Sequence, residues 1–140
     1  MVQTTIAHTE TQTKHRSRRA STRYERGMVI FRADSEGIVH CGPHTYRVRS
    51  RTNEHTFYTV IIRRGSEYCS CPDFLERCEP EGEFCKHIHA AKRFSECSGE
   101  CADCKVRVLH RDLYEVSDEH LTWFEGDELC KECALSAGVR

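Results

Sequence analysis

The sequence predicts a small α+β protein made of two short modules, a β-meander closed by a helix and a cysteine-rich unit after it. Three observations predict it. Residues 45–51 and 57–64 read as strands, the first by strict alternation and the second by its β-branched content. Ile88, Ala91 and Phe94 recur at helical spacing within 86–94. Nine of the ten cysteines follow residue 66, most of them in closely spaced pairs.

Residues 1–26 are polar and aperiodic and end in a basic run, Lys14, Arg16, Arg18, Arg19, Arg23 and Arg26, interrupted only by Glu25. They read as a disordered basic arm. A first domain is then expected over 27–96. The apolar run 28–31 suggests a strand, 35–37 and 41–43 suggest turns, and 45–51 alternates. Tyr46 and Val48 face one way there, while Arg47, Arg49 and Arg51 face the other. Residues 52–54 turn the chain into the strand 57–64, so the meander has one apolar face and one arginine-bearing face. A cysteine-rich loop and the helix 86–94 follow, and 95–100 reads as a joint. The second module, 97–140, holds candidate strands at 106–110, 114–116 and 121–124 and a short helix near Cys130. Trp123 and Phe124 are its expected core.

Hydrophobic residues make up 38% of the 140 positions and charged residues 31%, so no large core is available. Modules well below about 80 residues rarely hold together by burial alone, and disulfides or metals assist. The first residues contain no apolar segment of a secretory leader, and no run approaches a membrane span. A reducing, intracellular (cytoplasmic) setting is therefore expected, in which paired cysteines read as thiolate ligands.

Two ligand sets emerge. Cys69 and Cys71 form a Cys-x-Cys pair at a strand end, and Cys85 and His87 form a Cys-x-His pair at a helix start, with thirteen residues between the pairs. Four soft or borderline ligands satisfy a tetrahedral zinc ion. His89 stands four residues after Cys85, the spacing of one helical face, but Cys85 should precede the first turn, which favours His87. The second set is Cys101, Cys104, Cys130 and Cys133, two Cys-x-x-Cys pairs with 25 residues between them. The first pair suits a knuckle, and the second suits a helix N-terminus, where the dipole favours thiolate. Two zinc ions per chain are expected. Cys97 could replace Cys101 or Cys104. His40, Cys41 and His44 could form half of a third site with Cys78, but one turn offers too few ligands without a matched second pair, so a polar hairpin turn is the expected reading.

The segment 45–95, with its strand, the run Cys69-Ser70-Cys71-Pro72-Asp73-Phe74 and the helix opening Cys85-Lys86-His87-Ile88, resembles the SWIM-type zinc finger, CxCx(n)CxH. It departs from a compact finger in the insert 76–84, which carries Cys78. The resemblance implies a ββα fold, zinc, and a role in binding DNA or protein. Residues 97–140 resemble a treble clef or zinc ribbon.

Charge divides the chain. Residues 1–66 hold 12 Lys+Arg against 5 Asp+Glu, a net +7, and residues 67–140 hold 9 against 17, a net −8. Binding of nucleic acid, DNA first, is therefore expected through Arg47, Arg49, Arg51, Arg63 and Arg64, extended by Lys86, Lys92 and Arg93. The alternative is a protein-interaction adaptor docking through the acidic 97–140 module, as by resemblance in partners of RecA-like recombinases. An enzyme is not expected. Both ligand sets are closed, and the sequence has no HExxH, no deaminase-like signature and no phosphate-binding glycine loop. A redox-active Cys-x-x-Cys lacks its βαβ context. Neither a small-molecule substrate nor a membrane is an expected partner.

Overall fold

The computed structural model describes residues 21–117 and 125–139. The described chain opens with helix α1 (Arg23–Ala33). Thr22 caps it: the Thr22 hydroxyl accepts from the Glu25 N–H at 3.1 Å, and the Glu25 carboxylate accepts from the Thr22 N–H at 2.8 Å. This reciprocal pair satisfies two N–H groups that a helix start leaves free.

Helix α1 corrects two expectations: the arm does not extend to residue 26, and 28–31 is not a strand. Gly27, Met28 and Ile30 are buried, and an apolar run of four cannot by itself distinguish strand from helix. The decisive local signal is Thr22-x-x-Glu25, which precedes the run. Replacing the cap, Thr22→Ala, should cost about 1 kcal/mol. Thermal unfolding of the metal-loaded protein should then shift down by roughly 4–8 °C.

Four antiparallel strands follow in simple meander order: β1 (Ile38–Gly42), β2 (Thr45–Arg49), β3 (Phe57–Ile61) and β4 (Tyr68–Cys69). The alternation of β2 decides the layering. Tyr46 and Val48 pair with Val60 and Tyr58. Together with Ile38 and Cys69 they face inward, and Tyr46, Val48 and Val60 are fully buried. Against this face lies α3 (Lys86–Glu96), presenting Ile88, Ala91 and Phe94. The Tyr46 and Phe94 rings meet edge-on at 5.9 Å. Helix α1 packs on α3 in turn.

Both central strands stop short of their expected ends. After Arg49, Ser50 turns inward and its hydroxyl accepts from the Thr52 and Asn53 N–H groups, ending the ladder. After Ile61 the chain turns through Gly65, which is left-handed at φ 82. Strand β1 is a further element that the turn-rich sequence around it obscures. The insert forms a π-helical turn over Phe74–Cys78 and the short helix α2 (Glu79–Glu81).

Helix α3 continues to Glu96, so the expected joint is a helix end followed directly by β5 (Ser98–Glu100). Strand β5 pairs with β6 (Arg107–Leu109), β7 (Leu113–Glu115) pairs with β8 (Glu128–Cys130), and α4 (Lys131–Ala137) closes the described chain. The strand expected at 121–124, with Trp123 and Phe124, lies outside the described residues. Val116, Leu129 and Ala134 form a small core here with Cys101 and Cys130.

The two cores meet directly. Leu109 of β6 is buried in the first core. Burial, then the Arg107 charge, hold the His40 imidazole below its ordinary pKa, and its Nδ1 accepts from the Arg107 N–H at 3.0 Å. Among the described residues no helix is long and apolar enough to cross a membrane.

Candidate metal centres

The first centre forms where the last strand of the sheet meets the start of α3. Cys69 ends β4, Cys71 follows in the loop, and Cys85 is the N-cap of α3, with extended backbone at φ −78 and ψ 168. His87 lies one residue inside the helix. Because Cys85 stands outside the helical turn, its thiol and the His87 ring converge while His89 points elsewhere. All four residues are buried, and their ligand atoms lie within 4.8 Å of one another.

A tetrahedron of zinc–sulfur bonds of about 2.3 Å has edges of about 3.8 Å. His87 Nδ1 lies 3.8 Å from Cys69 Sγ and 3.9 Å from Cys85 Sγ. The donor set therefore fits a zinc-sized ion, with Nδ1 as the imidazole ligand. Backbone N–H groups already serve the sulfurs: Cys71 donates to Cys69 Sγ at 3.4 Å, and Phe74 donates to Cys71 Sγ at 3.3 Å. Such bonds favour thiolate. Hydrogen bonds from Cys69 and Cys85 hold the Cys71 thiol well below its ordinary range, and the same sharing, with burial, pushes Cys69 up. The other His87 nitrogen, Nε2, is buried with no hydrogen-bond partner among the described residues. Its ring lies beside Tyr58 at 4.8 Å.

The second centre joins a knuckle to a helix start. Cys101 N–H donates to Val106 O at 2.9 Å, and Lys105 N–H donates back to Cys101 O at 3.1 Å, which bends 101–106 tightly. Lys105 takes the left-handed conformation (φ 63) that this bend requires. Cys130 is the N-cap of α4, and Cys133 lies within its first turn. Cys101, Cys104, Cys130 and Cys133 also converge within 4.8 Å, with Cys104 and Cys130 sulfurs 3.8 Å apart. Burial pushes the Cys101 thiol up, but hydrogen bonds from the Cys130, Cys104 and Asp103 backbone outweigh it and bring it to about 7. The chain thus holds two four-ligand clusters that could take two metal ions, consistent with zinc.

The remaining thiols and imidazoles have other surroundings. Cys97 caps the C-terminus of α3 and stands outside the second cluster. Cys78 is buried 3.7 Å from Asp73 Oδ2, and burial, then the Asp73 charge, push it to about 11, so it is a protonated core thiol. Cys41 is exposed and makes a weak contact with Thr45 O. With His40 and His44 it borders a cleft of about 790 Å³ reaching Cys104 and Lys105, and no third ligand cluster forms among the described residues. His89 packs edge-on between Tyr24 and Phe84.

The sequence reading missed the bracing of the first centre. Arg23 of α1 pairs with Asp73 at 3.1 Å and with Glu83 at 2.8 Å, tying α1 to the loop just after Cys71. Arg23 holds the Asp73 carboxyl below its ordinary range. Only the topology brings these residues together, since fifty positions separate Arg23 from Asp73.

The arginines singled out for nucleic acid divide by placement. Arg47 and Arg49 share the outer face of β2. Arg47 is exposed, whereas Arg49 is half-buried and pairs with Asp34 at 3.5 Å. Arg51 is exposed beyond one end of β2, and Arg63 and Arg64 are exposed beyond the opposite end of the sheet. Lys86, Lys92 and Arg93 do not extend this face, because they belong to α3 on the other side of the sheet. Lys92 also pairs with Glu67 and Arg93 with Glu96.

No protein-family model, curated protein or solved structure matches this chain.

Proposed function

We propose that the chain is a SWIM-type zinc protein, with a treble-clef-like second unit, that binds DNA through its basic first half. The observation that supports this reading best is the outer face of the four-stranded sheet. Val39, Arg47 and Thr59 are exposed on it, Arg51 is exposed beside it, and neither arginine has an acidic partner among the described residues. Two four-ligand clusters suit closed, structural zinc sites rather than a catalytic ion with an open position. Zinc loading sharpens the charge division. Seven ligand thiolates and two zinc ions take residues 67–140 from −8 to −11, so a polyanion is driven toward the first half.

Replacing Arg47, Arg49 and Arg51 together with alanine tests the reading. Fluorescence anisotropy on labelled DNA should show weaker binding on every sequence alike. Because Arg49 already shares its charge with Asp34, the log–log salt slope should flatten by about two units rather than three. Unchanged affinity and slope would remove the assignment. Deleting residues 97–140 is a poor test of which half binds, because it strips Leu109 from the first core.

The adaptor reading has its own observation. Tyr114 on β7 is 42% exposed and Leu135 on α4 is 69% exposed, both on the acidic unit. If the intact protein bound no nucleic acid even at low salt, that surface would take first place. Leu135→Glu should then abolish capture of the partner.

A further inference from the structure

The outer sheet face carries more than charge. Cross-strand register places Arg49 opposite Phe57, and Arg47 opposite both Val39 and Thr59. That face therefore sets apolar side chains, Val39, Phe57 and Ile61, beside the two arginines and the hydroxyls of Thr45 and Thr59. The guanidinium carbons of Arg47 and Arg49 lie 5.0 and 5.5 Å from the centre of the Phe57 ring. Both distances fall within the range of cation–π attraction. Val39, on the same face, is 46% exposed.

We propose that this face binds single-stranded DNA, with bases stacking on the surface that Arg47, Phe57 and Arg49 share and phosphates meeting Arg51 at one end and Arg63 and Arg64 at the other. The proposal rests on the DNA-binding reading above and names the form of DNA.

Charge complementarity selects a polyanion, and the side chains between the charges select its form. A duplex offers a flat protein face mainly phosphates, leaving Val39, Phe57 and Ile61 in water or against sugar edges. A single strand exposes the flat faces of its bases. Aromatic rings and guanidinium planes both accept those faces by stacking, without regard to sequence. The paired length of β2 and β3, five residues each, spans roughly 14 Å, so the basic ends bracket the stack along one strand direction. The same apolar side chains favour DNA over RNA. Ribose 2′-hydroxyls laid against the Val39, Phe57 or Ile61 side chains would lose water there, with Thr59 the exposed hydroxyl that stands between Phe57 and Ile61.

The experiment uses the intact zinc-loaded chain and three probes of about 15 nucleotides: labelled oligothymidylate, the same length of duplex DNA, and oligouridylate. Two variants accompany it. Phe57→Leu keeps apolar bulk in the strand but removes the π-face, and Phe57→Tyr keeps the face. Zinc content and near-ultraviolet circular dichroism matching the parent protein establish that each variant is folded. Oligothymidylate should bind tighter than duplex at equal salt. Phe57→Leu should weaken oligothymidylate binding by about fivefold or more while leaving the duplex unchanged, and Phe57→Tyr should bind like the parent.

Equal oligothymidylate affinity in the folded leucine variant would overturn the stacking surface. Duplex bound as tightly as the single strand would overturn the choice of form. Tighter binding of oligouridylate would overturn the choice of DNA. In each of these outcomes the broader nucleic-acid reading survives. Failure of all three probes to bind at low salt would remove that reading as well.

Discussion

Chelation of zinc is expected to abolish the near-ultraviolet circular dichroism of the protein and the amide dispersion of residues 69–97, 101–117 and 125–133. The ligand clusters are part of the cores themselves. Cys69, Cys71 and Cys85 are buried among Val60, Ile88 and Ala91 in the first, and Cys101 and Cys130 sit beside Val116, Leu129 and Ala134 in the second. Structural zinc supplies roughly 10–16 kcal/mol of apparent binding energy at neutral pH, against a net stability of about 5–15 kcal/mol for an ordinary domain. In units this small the metal contribution exceeds what burial leaves over. Without metal, thiols crowd one another in sites whose backbone N–H groups are set for thiolates. The parent protein should contain two zinc ions by elemental analysis, and a content of one or three would contradict the assignment.

A single ligand substitution should separate the two centres. Cys69→Ser should lower the content from two zinc ions to one and collapse the four-stranded sheet. The second centre should keep its metal, because all its ligands and its small core lie within residues 101–137. The contact through Leu109 and His40 should nevertheless leave its spectrum altered at β6. Joint loss of both metals would mean that the centres fold as one cooperative unit. A chelated protein with a native spectrum would show that burial alone suffices.

Substitution of Gly27 should be damaging although the residue lies away from both ligand clusters. A Cβ built at Gly27 would come within 2.7 Å of both the His89 Cβ and the Lys86 carbonyl oxygen, and within 3.2 Å of the Ala90 nitrogen. Two of these contacts are helix backbone, so no side-chain rotation relieves them. Helix propensity alone predicts that Gly27→Ala would stabilise α1 by up to about 1 kcal/mol. Overpacking typically costs 1–3 kcal/mol and here requires α1 to lift off α3, so the net change should be destabilising by about 1–2 kcal/mol for alanine. Gly27→Val, larger and β-branched, should cost more than alanine. Urea unfolding of the metal-loaded variants measures both. A stabilised alanine variant would mean that the helices are further apart than described.

Gly27 also shows why part of the fold was legible and part was not. Within the sequence it reads as punctuation, a place where a polar arm ends and a strand begins. Its function is close approach between helices, which depends on a partner about 60 positions away. Thr22 and Glu25 carry a local helix signal, whereas the short apolar run after them has a period too ambiguous to tell strand from helix. Strand β2 was legible because alternation of Tyr46 and Val48 with Arg47 and Arg49 is a period-two pattern that only a half-buried strand satisfies. Strand β1 was not, since His40 and Cys41 interrupt its apolar residues and its place is decided by pairing with β2.

By itself the sequence determined which eight residues would form the two four-ligand clusters, and that the chain would be a small mixture of helix and antiparallel sheet. Cysteine and histidine spacing is a local property, and two residues separated by one or two positions at a strand end or helix start have few ways to point. Tertiary structure alone decided that Cys78 and Cys97 stand outside the two clusters, and that Arg23 braces the first one through Asp73. It also decided that Lys92 and Arg93 lie across the sheet from Arg47, and that two guanidinium groups, of Arg47 and Arg49, lie over the Phe57 ring. Each of these depends on which elements the sheet register and the helix crossing bring face to face. Contacts at that sequence separation come from packing, which no local spacing records.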